Sequence, residues 1–149
     1  MTEVRFYHLT RRTLEQALPA LLEKTLERGW KAVVLTASAE RAEQLNLHLW
    51  TYKPDGFLPH GTPADGHAER QPVLLTAEDI RPNGAGVLFQ TEGAESGLLG
   101  DYDLACDLFD GNDPDAVGAA RQRWKRLKAA GHDLTYWQQT ERGGWEKKA

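Results

Sequence analysis

The apolar run from Ala32 to Thr36 (AVVLT) constrains the fold more than any other stretch of this sequence. An uninterrupted apolar run of this length is typical of a strand in a parallel sheet that is covered on both faces. A β-branched and aromatic segment, Val4 to Leu9, precedes it, and a helical pattern that ends at Gly29 separates the two. A second helical pattern, which Ser38 can cap, follows. This alternation predicts an α/β fold with a mostly parallel central sheet flanked by helices.

Both helices of this βαβα opening carry local start signals. Thr13 and Gln16 form a capping box for the first helix. Pro19 lies inside its pattern, so this helix either starts late or is kinked there. Its apolar face consists of Leu14, Leu18, Leu21, Leu22 and Leu26. The second helix should run from Ala39 to about Trp50, and its inward positions are Ala42, Leu45 and Leu49.

The remaining chain is predicted to complete one domain over residues 1–149, with a frayed tail over about 143–149. A Pro- and Gly-rich loop from Tyr52 to Pro72 interrupts the alternation, and loops of this length are disordered or functional. Further strands are predicted at Val73 to Thr76, Val87 to Gln90 and Ala105 to Phe109, with an edge strand at Leu134 to Thr140.

The charge pattern is concentrated in one late helix, Asp113 to Gly131. Asp113 is a good N-cap, Pro114 suits the first helical position, and Gly131 suits the left-handed stop. Eight residues of this helix hold five cations and no acid: Arg121, Arg123, Lys125, Arg126 and Lys128. Without them the chain has 13 basic against 22 acidic residues, a charge of −9 rather than −4. This cationic helix on an otherwise acidic chain is therefore the feature of the sequence that most strongly indicates a binding function.

Helical geometry places Arg121, Lys125 and Lys128 on one stripe. Trp124 and Val117 lie beside that stripe, at the boundary of an apolar stripe that consists of Ala116, Ala120 and Leu127. Arg123 and Arg126 lie away from the cationic stripe. Two interpretations stay open: Trp124 is a core residue beside solvated cations, or it is an apolar surface for a ligand that the cations hold.

Composition and motifs favour a binding protein over an enzyme. The chain contains no GxGxxG and no GxxxxGK[ST], so a nucleotide site is not expected. The one cysteine, Cys106, lies in a predicted strand and is expected to be an inert core thiol. His60, His67 and Asp65 give only a weak metal signal. No catalytic residue, metal or cofactor is predicted.

The sequence also favours a cytoplasmic protein. The N-terminus lacks the pattern of a signal peptide, and no apolar run approaches the length of a membrane span. A calculated pI of about 5.7 argues against a general nucleic-acid-binding protein.

Several segments together resemble the chi subunit of bacterial DNA polymerase III. They are FYHL at 6–9, LW at 49–50, FLPHG at 57–61, QPVLL at 71–75 and RQRWKRLKAAGHDL at 121–134. Their order and spacing fit over essentially the whole chain. The resemblance implies a Rossmann-like three-layer α/β fold without enzymatic activity. It implies an accessory subunit of the clamp-loader complex that holds the acidic, Phe-terminated C-terminal tail of single-stranded DNA-binding protein.

The resemblance also implies two binding surfaces. The tail site falls on Val117, Arg121, Arg123, Trp124, Lys125 and Lys128. A second interface, for the psi subunit of the clamp loader or for a helicase, falls on Trp50, Phe57, Pro59 and His60. This chain has Trp124 and Leu127 where other members can carry Tyr. The alternative function is direct binding of single-stranded nucleic acid by the basic helix 121–128, with Trp124 stacking on bases.

Overall fold

The computed structural model describes residues 2–52, 58–142 and 144–149. In this part of the chain, seven strands form one sheet in the order β3-β2-β4-β5-β1-β6-β7. Every neighbouring pair is parallel except β6 and β7. The predicted α/β fold with a mostly parallel sheet is confirmed. In chain order the elements are β1 (Glu3–Leu9), α1 (Leu14–Glu27), β2 (Ala32–Leu35), α2 (Ala39–Thr51), β3 (Val73–Thr76), β4 (Val87–Thr91), β5 (Leu104–Asp110), α3 (Pro114–Ala129), β6 (Asp133–Gln139) and β7 (Trp145–Lys147).

Helices cover both faces of the sheet. Side chains alternate along each strand, so Val34 packs with α1 and α2 while Val33 and Leu35 pack on the side of α3. The inward positions predicted for α2 are confirmed, since Ala42, Leu45 and Leu49 are buried. The two faces have separate apolar cores, and α3 is the one long helix on its face within the described residues.

Pro19 lies inside α1 without delaying its start. The helix begins at Leu14 with the predicted capping box, so the late start is wrong. Proline cannot donate to the carbonyl four residues earlier, which is that of Glu15. In this structure Nε2 of His48, from α2, lies 2.6 Å from the Glu15 carbonyl oxygen. The side chain of His48 therefore satisfies the acceptor that Pro19 leaves free, and it ties α1 to α2.

The C-terminal segment differs from its prediction. Residues Trp145–Lys147 form β7, which pairs antiparallel with β6, so β6 is not the edge strand and the described part of 143–149 is not a frayed tail. The Trp145 ring packs edge-on against Tyr7 at a centroid distance of 4.7 Å. A strand of three residues is too short to be recognised from its pattern, and this aromatic contact over a long sequence separation holds it in place.

Helix α3 follows its local signals. The Asp113 side chain accepts a hydrogen bond of 3.0 Å from the Asp115 backbone N–H, as expected of an N-cap. At the other end Gly131 has φ +91°, a conformation that favours glycine, and its N–H donates to the Lys128 carbonyl. The helix packs against β5 and β6.

Candidate functional site

Arg123 lies inside the protein rather than on its surface. It continues the inward stripe of Ala120 and Leu127, and only 4% of the residue is exposed. Its Nε and Nη2 atoms donate to the two carboxylate oxygens of Asp107, at 2.7 and 2.8 Å. The Gln90 amide donates to the same carboxylate at 3.2 Å. Arg123 is therefore part of the helix–sheet contact, and its predicted place in an exposed binding site does not fit this position.

The other four cations of α3 divide into paired and unpaired groups. Arg126 forms an ion pair with Glu95, from the loop after β4. Arg121, Lys125 and Lys128 are exposed, and none of them forms an ion pair with a described residue. We call these three residues the cationic edge. Acids of the chain thus neutralise one side of α3, while the cationic edge lies on the other side.

Trp124 lies between the cationic edge and the core. Its ring meets Phe6 at 5.5 Å and Tyr136 at 6.0 Å between centroids, both edge-to-face. The residue is nevertheless only half-buried, and so is Val117, which packs against the same core. Trp124 is therefore partly a core residue and partly an apolar surface beside the cations, so each of the two interpretations is correct in part. Its ring anchors α3 to the sheet and leaves apolar surface beside the cations.

A partly buried polar contact supports the Tyr136 ring on which Trp124 rests. The Tyr136 hydroxyl and Nδ1 of His8 form a hydrogen bond. Burial lowers the pKa of His8, and the nearby Arg121 lowers it further, which favours the neutral imidazole. Gly111 makes this packing possible, because a Cβ atom there would lie 1.9 Å from Cδ2 of His8. The floor of the Trp124 surface is therefore held by contacts between β1, β6 and the turn after β5.

The second predicted interface is only partly exposed. Trp50 is 54% exposed and lies on α2, and Pro59 is half-buried. Phe57 lies outside the described residues. His60 is buried, with its ring 4.7 Å from that of Trp50 and its two nitrogens 2.5 and 3.0 Å from the carbonyls of Leu58 and Asn46. His60 therefore supports the Trp50 ring from below instead of forming the surface.

Sequence reasoning missed Leu47 on this surface. It lies one helical turn before Trp50 and is 60% exposed. An exposed leucine and tryptophan three residues apart on one helix form an apolar patch, which is a common mark of an interface. The signal was available in the sequence, since Leu47 falls off the inward stripe of Ala42, Leu45 and Leu49.

The usual phosphate position of an α/β fold is filled by the chain itself. The loop after β1 points three backbone N–H groups at one spot, as a phosphate-binding loop would. The side-chain oxygen of Gln139 accepts all three, from Thr10, Arg11 and Arg12, each at 3.0 Å. Gln139 therefore satisfies the donors that would hold a phosphate, which weighs against a nucleotide site at this end of the sheet.

Other candidate chemistry finds little support in the structure. The described residues hold no group of three or more potential metal ligands. Asp65 instead accepts a hydrogen bond from the Thr62 backbone N–H at 2.9 Å. Burial raises the pKa of the Cys106 thiol to about 12, as expected of an inert core cysteine.

Within the described residues, no helix has the length and apolar character needed to cross a membrane.

Comparison with known proteins identifies the family. The family model for the DNA polymerase III chi subunit, HolC, matches residues 1–135. The chain belongs to the chi subunit family. A probable DNA polymerase III subunit chi from Rickettsia prowazekii (strain Madrid E) is 36% identical over 88 residues, which cover 59% of this chain and 53% of that relative. The chain thus matches about half the length of this chi relative. The resemblance predicted from the sequence segments is confirmed.

Proposed function

We propose that this chi family member is a non-catalytic accessory subunit of the DNA polymerase III clamp-loader complex. In this proposal it links the complex to single-stranded DNA-binding protein, by holding that protein's acidic, Phe-terminated C-terminal tail against α3. At α3, DNA is then contacted only indirectly, through this partner, and the role supports DNA replication.

One observation carries the proposal: the cationic edge lacks acidic partners among the described residues and borders a half-buried tryptophan. A tail that ends in aspartates and a Phe carboxylate needs an apolar surface for its ring and cations for its carboxylates. Trp124 and Val117 offer the apolar surface. Arg121 offers a planar donor that can bind a carboxylate through two hydrogen bonds, and the lysines supply further charge.

The same observation weighs against single-stranded nucleic acid as the ligand of α3. Proteins that bind single strands combine a basic groove with several rings on which successive bases stack. On α3 one ring, that of Trp124, accompanies the three cations, and the chain as a whole carries a charge of −4. A short acidic peptide with one terminal ring matches this arrangement better.

The proposal is tested by reversing the cationic edge. Wild-type protein should bind an acidic peptide ending in Phe with micromolar-scale affinity. The double variant Lys125→Glu/Lys128→Glu should bind at least about tenfold more weakly, because two attractions become repulsions. Fluorescence anisotropy of a labelled peptide measures the affinity, and rising salt should weaken wild-type binding.

Arg126 provides a matched control on the same helix. Arg126→Glu and Lys125→Glu change the charge equally, at neighbouring positions, but Arg126 lies on the side that Glu95 already neutralises. We expect Lys125→Glu alone to weaken binding several-fold and Arg126→Glu to leave it nearly unchanged. Equal losses from the two single variants would contradict a specific site. Failure of wild-type protein to bind the peptide, with tight binding of an oligonucleotide that Lys125→Glu/Lys128→Glu abolishes, would favour the alternative function.

We propose the α2 patch of Leu47 and Trp50, with Pro59 and the supporting His60, as the docking surface for the psi subunit or a helicase. The exposed apolar side chains support this role. Leu47→Ala/Trp50→Ala should remove the partner from a pulldown with mass spectrometry, while the Lys125→Glu/Lys128→Glu protein should still retain it. Recovery of the same partner with the Leu47→Ala/Trp50→Ala protein would contradict the assignment.

A further inference from the structure

A cavity of about 410 Å³ opens on the face of the sheet opposite α3. It lies between α1 and the strands β6 and β7, near the amino ends of β1 and β5. Its volume falls within the range of small-molecule sites. The cavity is therefore separate from the cationic edge, which lies on the other face, and from the α2 patch, whose exposed residues do not line it.

Aromatic rings from three parts of the chain line this cavity. Trp30, from the turn after α1, is 44% exposed, and the Arg28 guanidinium lies 5.5 Å from its ring centroid. Trp137 and Trp145, from β6 and β7, are partly buried. Tyr7 packs edge-on against Trp145 and is almost fully buried. Three of the five tryptophans of the chain therefore border one opening.

The charged side chains that line the cavity are all cations. They are Arg5, Lys24 and Arg28; no carboxylate is among the described residues of the lining, although Glu3 beside it forms an ion pair of 3.1 Å with Arg5. Lys24 and Arg28 follow the usual preference for bases at the end of a helix, which accounts for part of this charge. That preference does not account for the rings beside these cations. A positive, ring-lined opening on a chain of net charge −4 indicates an anionic aromatic ligand.

We propose that this cavity binds a nucleobase together with its phosphate, as a free nucleotide or as part of single-stranded DNA. The exposed Trp30 ring, together with the Arg28 guanidinium 5.5 Å from its centroid, offers a stacking platform for the base. Lys24 and Arg28 supply the main donors for phosphate oxygens, and Arg5, which is paired with Glu3, lies beside them. Rings accompanied by a positive lining are the combination that proteins use to bind single strands without reading their sequence.

An acidic peptide fits the cavity less well. Peptides bound beside a sheet rely on backbone hydrogen bonds to an edge strand, whereas this cavity is lined mainly by side chains. The lining also presents several rings at one opening, and one terminal side chain would use only part of that surface. A flat base with an attached phosphate uses both the rings and the cations.

The test is a titration of the full chain with a labelled oligothymidylate at low salt, followed by fluorescence anisotropy. We expect measurable binding that weakens at least about tenfold in Lys24→Glu/Arg28→Glu and in Trp30→Ala, since each removes a main contact. The matched control Arg12→Glu/Arg70→Glu reverses two exposed cations outside the cavity and should bind like wild type. Far-UV circular dichroism shows that each variant is folded.

Competition experiments distinguish the sources of the ligand. If thymidine monophosphate displaces the oligonucleotide, a single nucleotide is sufficient; if only longer strands do so, the ligand is single-stranded DNA, and both results support the site. Lys125→Glu/Lys128→Glu should not change this binding. Equal binding by the cavity variants and wild type, loss of binding only in the α3 variant, or an effect of the cavity variants on an acidic peptide alone would overturn the proposal.

Discussion

Replacing Arg123 with methionine should lower the free energy of unfolding by about 3–5 kcal/mol at pH 7, because it leaves a buried carboxylate without its cation. The Asp107 side chain is 2% exposed, and both of its oxygens accept hydrogen bonds from Arg123. The Gln90 amide alone cannot compensate for that charge. Urea denaturation, followed by circular dichroism, measures the loss. The cationic edge is not altered by this change.

The loss should depend on pH in a defined direction. Burial raises the pKa of Asp107, and Arg123 opposes that rise in the wild type. In Arg123→Met the opposition is gone, so the pKa of Asp107 in the folded variant lies further above its unfolded value of about 3.9. When the pKa of Asp107 is higher in the folded than in the unfolded protein, the folded state is most stable at a pH below the unfolded pKa. That stability is lost as the pH rises through the pKa of Asp107 in the folded protein. The deficit relative to wild type should therefore shrink as the pH falls.

A double variant provides the control for this prediction. Arg123→Met/Asp107→Leu removes both charges and should recover much of the stability at pH 7, since an apolar pair of similar volume often replaces a buried ion pair without loss. A deficit in Arg123→Met that is the same at every pH would show that lost packing, rather than the unpaired carboxylate, is its cause.

Replacing Trp124 with alanine should reduce both stability and tail binding. The ring is half-buried against Phe6 and Tyr136, so we expect a loss of about 2–4 kcal/mol in unfolding free energy, near the lower end for buried aromatics. If the proposed function holds, peptide affinity should fall at least about tenfold, because the apolar surface for the terminal ring is gone. Both effects come from one side chain that serves the core and the surface.

Two further variants separate these effects. Trp124→Tyr keeps a ring against Phe6 and Tyr136 and should retain most of the stability and much of the binding. Lys125→Glu/Lys128→Glu should lose binding at wild-type stability, because both lysines are exposed. Thermal denaturation and peptide anisotropy on the same samples provide the two readouts. A folded Trp124→Ala protein that binds the peptide as wild type does would show that the site lies elsewhere.

Local signals in the sequence predicted much of the fold. The apolar run of β2, the capping box at Thr13 and the caps at Ser38, Asp113 and Gly131 lie where the structure has them. Each of these signals depends on residues a few positions apart, so neighbouring residues suffice to read it. β7 was missed because its three residues are held by pairing with β6 and by the Tyr7 contact, which connects distant parts of the chain.

In the candidate sites, too, the burial of single side chains depends on contacts between distant parts of the chain, which the local sequence pattern does not show. The helical pattern places Arg123 away from the cationic stripe, and only the resemblance includes it in the tail site; in the structure it forms an ion pair with Asp107 in the helix–sheet contact. His60 was assigned to a surface, but the carbonyls of Leu58 and Asn46 hold its ring below Trp50. The position of Leu47 off the inward stripe of α2 is readable from the sequence, but its 60% exposure depends on what covers it, which only the fold shows.

The sequence by itself determined the chain order of the elements from β1 to β6, the ends of α3 and the presence of five cations on that helix. Only the tertiary structure decided which of them remain available to a partner. Asp107 on β5 and Glu95 in the loop after β4 meet Arg123 and Arg126 when α3 packs on the sheet. The physical reason is that an ion pair needs opposite charges within a few ångströms, and for residues far apart in the chain only folding sets that distance.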